Sequence, residues 1–524
     1  MTISRQVSRR IAQMEDRPRL RRVRRAFGSD DTDYVISRAA IVDCQGTFTY
    51  SELEDRSLQV AAVLVNGRRD LLEERVAFLM TPGFGWVAVQ RGIWRAGGIA
   101  VPLPLGATMP ELEYILDDTG TSTILFDFEA CPTLPSFVAS RGIRALSYEA
   151  LGACEVTELP EIGNSRRAMI LYTSGTTSRP KGVVTTHANI GAQIRTLVDA
   201  WEWSDADRTL LCLPLHHVHG IINVVWCALA SGAVCEMLPR FEADAVWNRI
   251  ASGELTVFMA VPTIYVRLIR AWEAASAERR RELSEACSRL RLMVSGSAAL
   301  PVTTLERWKE ISGHTLLERY GMTEIGMALS NPYRGTRIPG SVGTALPGVA
   351  VQLMGENGQP VVEGMPGEIE VQGPSVFAEY WRKPDATREA FRDGWFRTGD
   401  TAVVENGSYR ILGRTSIDIL KTGGHKVSAL EIEEVLRRHP AVAECAVVGV
   451  PDAEWGERVG AAVVMNEGAS IELPSLRAWA GGFIAAHKLP TRLMVMDALP
   501  RNAMGKVVKR EIARQFQSGG DSVA

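Results

Sequence analysis

The run Thr173-Ser174-Gly175-Thr176-Thr177-Ser178-Arg179-Pro180-Lys181-Gly182 gathers hydroxyls, glycines and a lysine into one loop, directly after the apolar residues Ala168 to Tyr172. Such a loop suits a phosphate: glycines let backbone N–H groups turn toward an anion, hydroxyls add donors free to rotate, and lysine adds a compact positive charge. It is not a Walker A loop, because glycine rather than Ser or Thr follows Lys181. Alone, the run also reads as a solvated Ser/Thr/Gly turn. Further polar segments separate the two readings. Ser295-Gly296-Ser297-Ala298 follows one apolar run, and Glu318-Arg319-Tyr320-Gly321-Met322-Thr323-Glu324 follows another. Gly394-Trp395-Phe396-Arg397-Thr398-Gly399-Asp400 sets an acid after a glycine turn, where it suits two neighbouring sugar hydroxyls. Near the end, Leu499-Pro500-Arg501-Asn502-Ala503-Met504-Gly505-Lys506 carries a lysine on a glycine-containing loop ahead of an apolar helix. Singly, each has a structural reading: Arg414 as a linker salt bridge, Glu324 as a helix cap, Lys506 as a surface lysine.

The elements that must position these groups alternate in type. Val76–Met80, Ile99–Leu103, Ile124–Phe126, Leu210–Leu213, Val257–Val261 and Leu292–Val294 are short apolar runs separated by helix-period segments. That rhythm predicts parallel sheets covered by helices, with ligands seated beyond the strand carboxyl ends. Between about 336 and 412 the texture changes to strands and Gly/Pro turns, a small β module. From 413 to 524 the order is helix Ser428–Arg438, strands Cys445–Val450 and Val459–Met465, helix Leu473–Ala486 and strand Leu493–Met496. The fold class is therefore α/β: an N-terminal domain over 34–412 that ends in the β module, followed by an α+β domain over 413–524.

At 524 residues the chain is too long for one core, and a net charge of -3 argues against a strongly basic nucleic-acid binder. Eight cysteines lie scattered without a C-x-x-C pair, the usage of reduced thiols in a cytosol-like compartment. No apolar run approaches the roughly 20 residues of a membrane span. The first 28 residues hold nine arginines against Glu15 and Asp16. The extension over 1–33 reads as a solvated basic helix in a cytoplasmic protein, with a mitochondrial transit peptide and a matrix location as the alternative.

Jointly and in this order, the polar segments resemble the acyl-adenylate-forming (AMP-binding) superfamily of acyl-CoA synthetases, luciferases and adenylation domains, over residues 40 to 515. The resemblance implies a large N-terminal domain of two α/β lobes and a small β module with a mobile α+β C-terminal lid hinged near Arg414, ATP and CoA as co-substrates, Mg²⁺, a small carboxylic acid, and a monomer or homodimer. It implies that Thr173, Ser174, Gly175, Thr176, Thr177, Ser178 and Lys181 hold phosphate. Gly296, Ser297, Ala298, Glu318, Arg319, Tyr320, Gly321 and Met322 then line the adenine. Thr323 touches phosphate, Glu324 with Thr176 holds Mg²⁺, Asp400 and Arg414 grip the ribose, and Lys506 is the adenylation lysine. Gly423, Gly424 and Lys426 face CoA after the lid turns. Ser178 stands where the family usually has glycine, and the eight residues between Arg414 and Gly423 leave the hinge open among Ser416, Ile417 and Asp418.

Within the superfamily, Leu213–Gly220, Val261–Arg267 and Leu317–Met327 look most like the malonyl-CoA synthetase branch. A dicarboxylic acid leaves a second carboxylate to bury, which is costly without a fixed cation, and a guanidinium matches it bidentately. Arg267 is the expected partner and Arg291 the second candidate, with an exposed helix arginine as the plain alternative for Arg267. Val218 and Met322 are expected to border the substrate's middle carbon and His219 to pack near its carboxylate; His216, His217 and His219 lack the third ligand of a zinc site. The expected substrate is malonate, with methylmalonate as the branched variant. Competing readings are a synthetase for a monocarboxylic acid and an enzyme loading a carrier protein, the latter echoed by Gly519-Gly520-Asp521-Ser522-Val523 but lacking a helix bundle around the serine. No G-x-S-x-G elbow supports a serine hydrolase.

Overall fold

The structure, a computed structural model, describes residues 37–128, 134–152, 158–173, 180–501, 507–519 and 522–523. The basic extension, the loop interior Ser174–Arg179 and the candidate lysine Lys506 lie outside the described residues.

The apolar runs of the first 330 residues are strands, as their alternation with helical segments predicts. Among the described residues they build two sheets. In the larger, the parallel strands Val234–Met237, Arg208–Leu211, Val257–Ala260, Leu292–Ser295 and Leu317–Met322 lie side by side. All five ends point the same way, so the segments that follow them share one edge. The second sheet runs parallel through Thr123–Phe126, Arg75–Leu79, Ile99–Pro102 and Arg167–Thr173, then turns antiparallel into Lys181–Thr186. Thr173 pairs directly with Lys181 at the end of this hairpin ladder.

The helix His187–Ala200 leaves this hairpin through a capping box in which Thr186 and Asn189 satisfy each other's backbone amides. Its buried face packs into a continuous core with Trp201, Tyr265 and Trp308. The Asn189 side chain also donates to the carbonyls of Pro374 and Val376, pinning the start of the helix to the Gly/Pro-rich region. There, Ala350–Met354, Gly367–Gln372 and Trp395–Glu405 form an antiparallel sheet extended by Ser408–Arg414. The chain from 375 to 380 crosses between sheets: Phe377 N–H donates to the Glu324 carbonyl and Ala378 N–H to the Val184 carbonyl.

The last unit wraps helices around strands Val442–Asp452, Gly456–Met465 and Arg492–Val495. Helix Ala429–Leu436 begins at Ser428 as expected, but helix Leu473–Ala480 ends well before Ala486. Gly481 and Gly482 interrupt it, because two glycines in succession lose more conformational freedom in a helix than they recover.

Candidate active site

The carboxyl ends of the two sheets enclose a polar crevice. Lys181 opens its strand with the ammonium 4.7 Å over the ring of Tyr380, a cation–π contact. The Tyr380 hydroxyl donates to Glu324 Oε1 at 3.0 Å, so one aromatic side chain joins the phosphate-loop lysine to the acid at the end of the other sheet. Glu324 is 5% exposed, and burial raises its pKa against the opposing pull of Tyr380, Arg414 and Lys181. Directly before Lys181, the Pro180 carbonyl accepts from the Tyr114 hydroxyl at 2.7 Å.

Asp400 and Arg414 face each other across paired strands. Arg414 Nε lies 3.0 Å from Asp400 Oδ1, Tyr320 donates its hydroxyl to Asp400 Oδ2 at 2.5 Å, and Arg414 Nη1 donates to the Thr398 carbonyl at 2.7 Å. The aspartate is thereby held in one orientation by partners on both of its oxygens. Gly399, at φ 72°, occupies a conformation other residues resist.

Alternation along the strand Leu317–Met322 divides its side chains between two faces. Glu318 and Tyr320 turn toward the β module, where Glu318 accepts from the Gly340 amide at 3.1 Å and burial pushes its carboxyl up to about 8. Arg319 turns the opposite way, into the space beside Gly296, Ser297 and His219. Its Nη2 donates to Ser297 Oγ at 3.2 Å, and that oxygen lies 3.3 Å from His219 Nδ1. A Cβ at Gly296 would come within 2.7 Å of the guanidinium, so only glycine admits it. Arg319 is 3% exposed, and among the described residues neither its Nε nor its Nη1 has a partner; the same holds for His219 Nε2. Desolvation lowers the Arg319 pKa to about 9 and drives that of His219 well below its ordinary value, leaving a neutral imidazole. An unpaired guanidinium this deeply buried is costly and calls for an anion.

The adenine-lining set expected from sequence is thus divided, with Arg319 facing away from Glu318 and Tyr320. Gly321 is required by contact, since a Cβ there would approach the Gly326 carbonyl to 2.1 Å. Val218, Met322 and Thr323 are half-buried, while Ala298 is exposed.

Two expected substrate arginines stand apart from this cluster. Arg291 precedes its strand, at the opposite end from Gly296, and is fully engaged: it binds Asp207 through Nε and Nη2 at 2.6 and 2.8 Å and the Trp201 carbonyl at 2.9 Å. Arg267 is exposed, with its guanidinium 4.6 Å over Phe241 in a shallow cleft beside Glu242 and Asp244. The physical reason is helical phase: Ile264, Tyr265 and Leu268 take the buried stripe of helix Pro262–Ala274, and Arg267 falls outside it.

On the last unit, Gly423 and Gly424 form a positive-φ turn, and Lys426 pairs with Glu356 of the β module at 2.6 Å. The Val302 amide donates to Glu434 at 3.1 Å, a second contact between the lid and the body. Tyr380 was not singled out from sequence, because it belongs to a two-residue strand without a motif; its pairing with Lys181–Thr186 is tertiary.

A crevice presenting a lysine, a buried acid, an oriented aspartate and a desolvated guanidinium serves a reaction that brings several anions together, and this is the class of adenylate-forming acid–thiol ligases. The model for AMP-binding enzymes matches residues 32–381 and that for the AMP-binding enzyme C-terminal domain matches 431–506; the chain belongs to this family. It is 46% identical to the mitochondrial malonate–CoA ligase of Mus musculus, covering 92% of this chain and 89% of the relative. It superposes on ATP-bound MatB from Rhodopseudomonas palustris with TM-score 0.86 at 36% identity, over 95% of this chain and 98% of that one. A malonyl-CoA ligase ternary product complex with methylmalonyl-CoA and AMP bound gives 0.67 at 35% identity, over 91% and 99%.

Proposed function

We propose that this enzyme is a malonate–CoA ligase and that Arg319, rather than Arg267 or Arg291, receives the distal carboxylate. The observation that carries the reading is the buried guanidinium with two unpartnered N–H groups beside His219 and Ser297. A monocarboxylic acid would leave that charge uncompensated, while a three-carbon diacid meets it and still presents its other carboxylate toward the nucleotide. The likeness to malonate–CoA ligases supports the same substrate. Val218 and Met322 then flank the carbon between the carboxylates and set the room for a methyl branch.

In the first half-reaction the free carboxylate oxygen attacks the α-phosphorus of ATP, the bond to the bridging oxygen breaks, and pyrophosphate leaves. Charge spreads over the phosphoryl oxygens in the transition state. Lys181 and Thr173 are assigned the offsetting of that charge, and Lys506 the developing charge at the α-phosphate. Asp400, oriented by Tyr320 and Arg414, accepts from the ribose hydroxyls. Glu324 fits a divalent cation, being a buried carboxylate with a neutral Tyr380 donor. Among the described residues no three His, Cys, Asp or Glu side chains converge, so Mg²⁺ would take its other ligands from phosphate and water. The cation would neutralise phosphate charge. In the second half-reaction the CoA sulfur attacks the acyl carbonyl and AMP leaves. The closer likeness to the ATP-bound structure than to the product complex supports assigning the present lid pose to adenylation.

The test is a panel of malonate, methylmalonate, propionate and butyrate with ATP, Mg²⁺ and CoA, read by mass spectrometry of acyl-CoA and AMP. The proposal requires malonyl-CoA as the dominant thioester, formed with one AMP per turnover. Preference for butyrate or propionate would refute it. The mouse relative is named as mitochondrial. No helix among the described residues is long and apolar enough to cross a membrane. We therefore propose the matrix location over the cytoplasm, with residues 1–33 fused to a reporter as the check.

A further inference from the structure

The lid holds a buried ionic cluster that the chemistry above does not use. Lys509 opens the helix Lys509–Gln517, three residues after Lys506 in sequence. Its ammonium lies 2.6 Å from Asp418 Oδ1 and 2.7 Å from Glu433 Oε1, with side-chain exposures of 12%, 15% and 4% for the three residues. Glu433 is fixed in turn by the Val447 amide at 2.8 Å and by Arg437 at 2.9 Å. Burial works against the charge of Lys509, and Glu433 and Asp418 together overcome it, so the pKa ends above its ordinary value. The ammonium is permanent at any working pH.

The second oxygen of Asp418 reaches out of the lid. Asp418 Oδ2 accepts from the backbone N–H of Arg414 at 2.9 Å, and the Arg414 carbonyl accepts from the amides of Ile417 and Asp418. Arg414 is the last residue of the strand that belongs to the body, and its guanidinium grips Asp400. A continuous chain therefore runs from the helix beside Lys506, through Lys509 and Asp418, to Arg414 and Asp400. It crosses the short stretch in which the hinge was sought, and it assigns Asp418 a different task from a free pivot.

We propose that Lys509 is a positioning residue for acyl-adenylate formation: it fixes Asp418 against the Arg414 amide, and so holds Arg414 and Asp400 in register with the lid. The proposal rests on the reading of Asp400 and Arg414 as the ribose grip. The link spans residues 415–417, so rotation of the lid for thioester formation must strain or break it, and its contribution belongs to the first half-reaction. A small misplacement of a positioned group costs on the order of 10²-fold in rate.

Malonate-dependent ATP–pyrophosphate exchange reads the first step, malonyl-CoA formation from supplied malonyl-adenylate reads the second, and calorimetry reads ATP affinity without any acid. Lys509→Met leaves two buried carboxylates facing each other and endangers folding. Asp418→Ala is the cleaner variant, because Lys509 keeps Glu433. In Asp418→Ala the exchange rate falls about 10- to 100-fold and ATP binding weakens. The thioester step stays within about threefold of wild type, about 0.6 kcal/mol. Lys509→Met behaves alike where it folds, the double variant is no worse than the more impaired single one, and Lys509→Arg recovers part of the loss. Wild-type exchange and ATP affinity in Asp418→Ala, equal loss of both steps, or additive losses would overturn the proposal. Absence of malonate-dependent exchange in the wild type would overturn the malonate reading instead, with ATP affinity still deciding the role of Lys509.

Discussion

Replacing Arg319 with methionine separates substrate recognition from folding, because the structure predicts effects of opposite kind. Nε and Nη1 lie on opposite sides of the guanidinium, so a carboxylate meets one of them together with the Nη2 hydrogen that Ser297 does not take. Each hydrogen bond between charged partners contributes about 1.5–3 kcal/mol, so the pair is worth about 3–6 kcal/mol before the incoming carboxylate is desolvated. Desolvation removes part of this, and the lower half of the range corresponds to a loss of about 10²–10³ in kcat/KM for malonate. Stability should not follow. Methionine fills similar volume, no protein carboxylate is orphaned, and a desolvated charge disappears, so the thermal midpoint stays level or rises. Butyrate, whose terminal methyl gains an apolar wall, should be used better than by the wild type. Initial rates over both acids with saturating ATP and CoA, together with a melting curve, make the comparison. Equal losses for malonate and butyrate, or a collapse in stability with unchanged acid preference, would refute the reasoning.

Other consequences follow from the same geometry. Because burial holds free Arg319 down to about 9, its charge is present below that pH and lost above it; kcat/KM for malonate should fall on the alkaline side of about 9, and a flat profile would contradict the assignment. Arg267→Ala removes only an exposed contact with Phe241 and should change malonate kcat/KM by less than about twofold, as steady-state kinetics would read. Tyr380→Phe frees Glu324 of its donor while keeping the ring under Lys181, so a titration should show a higher Mg²⁺ requirement and a roughly tenfold slower adenylation. Lys506→Ala should slow adenylation while malonyl-CoA still forms from supplied malonyl-adenylate; matched losses in the two assays would count against separate lid poses.

The parts of this protein legible in sequence are those in which local pattern and function coincide. Apolar runs such as Arg75–Leu79 and Leu292–Ser295 appear as strands because burial on both faces demands continuous Val, Ile, Leu and Ala. The polar segments just beyond them follow the rule that ligands gather at strand ends, so Lys181, Glu324 and Asp400 could be named before their contacts were known. Arg319 was placed with the adenine because a motif names residues in order, whereas a strand sends successive side chains to opposite faces. Arg267 lies outside the buried stripe of the helix Pro262–Ala274, a phase set by packing that the Pro262-to-Arg267 motif does not record. Tyr380, Asp418 and Lys509 act through partners distant in sequence, up to 199 positions for Tyr380 and Lys181 (380 less 181). No spacing rule records such pairs.

The central claim is that residues from both sheets and the β module form one site that joins a dicarboxylate to AMP before any thiol arrives. Isotope exchange between ATP and pyrophosphate in the absence of CoA tests it most directly. Rapid exchange is expected with malonate, little with butyrate, and AMP rather than ADP as the product once CoA is added. Exchange that ignores the acid, or ADP and phosphate as products, would contradict it.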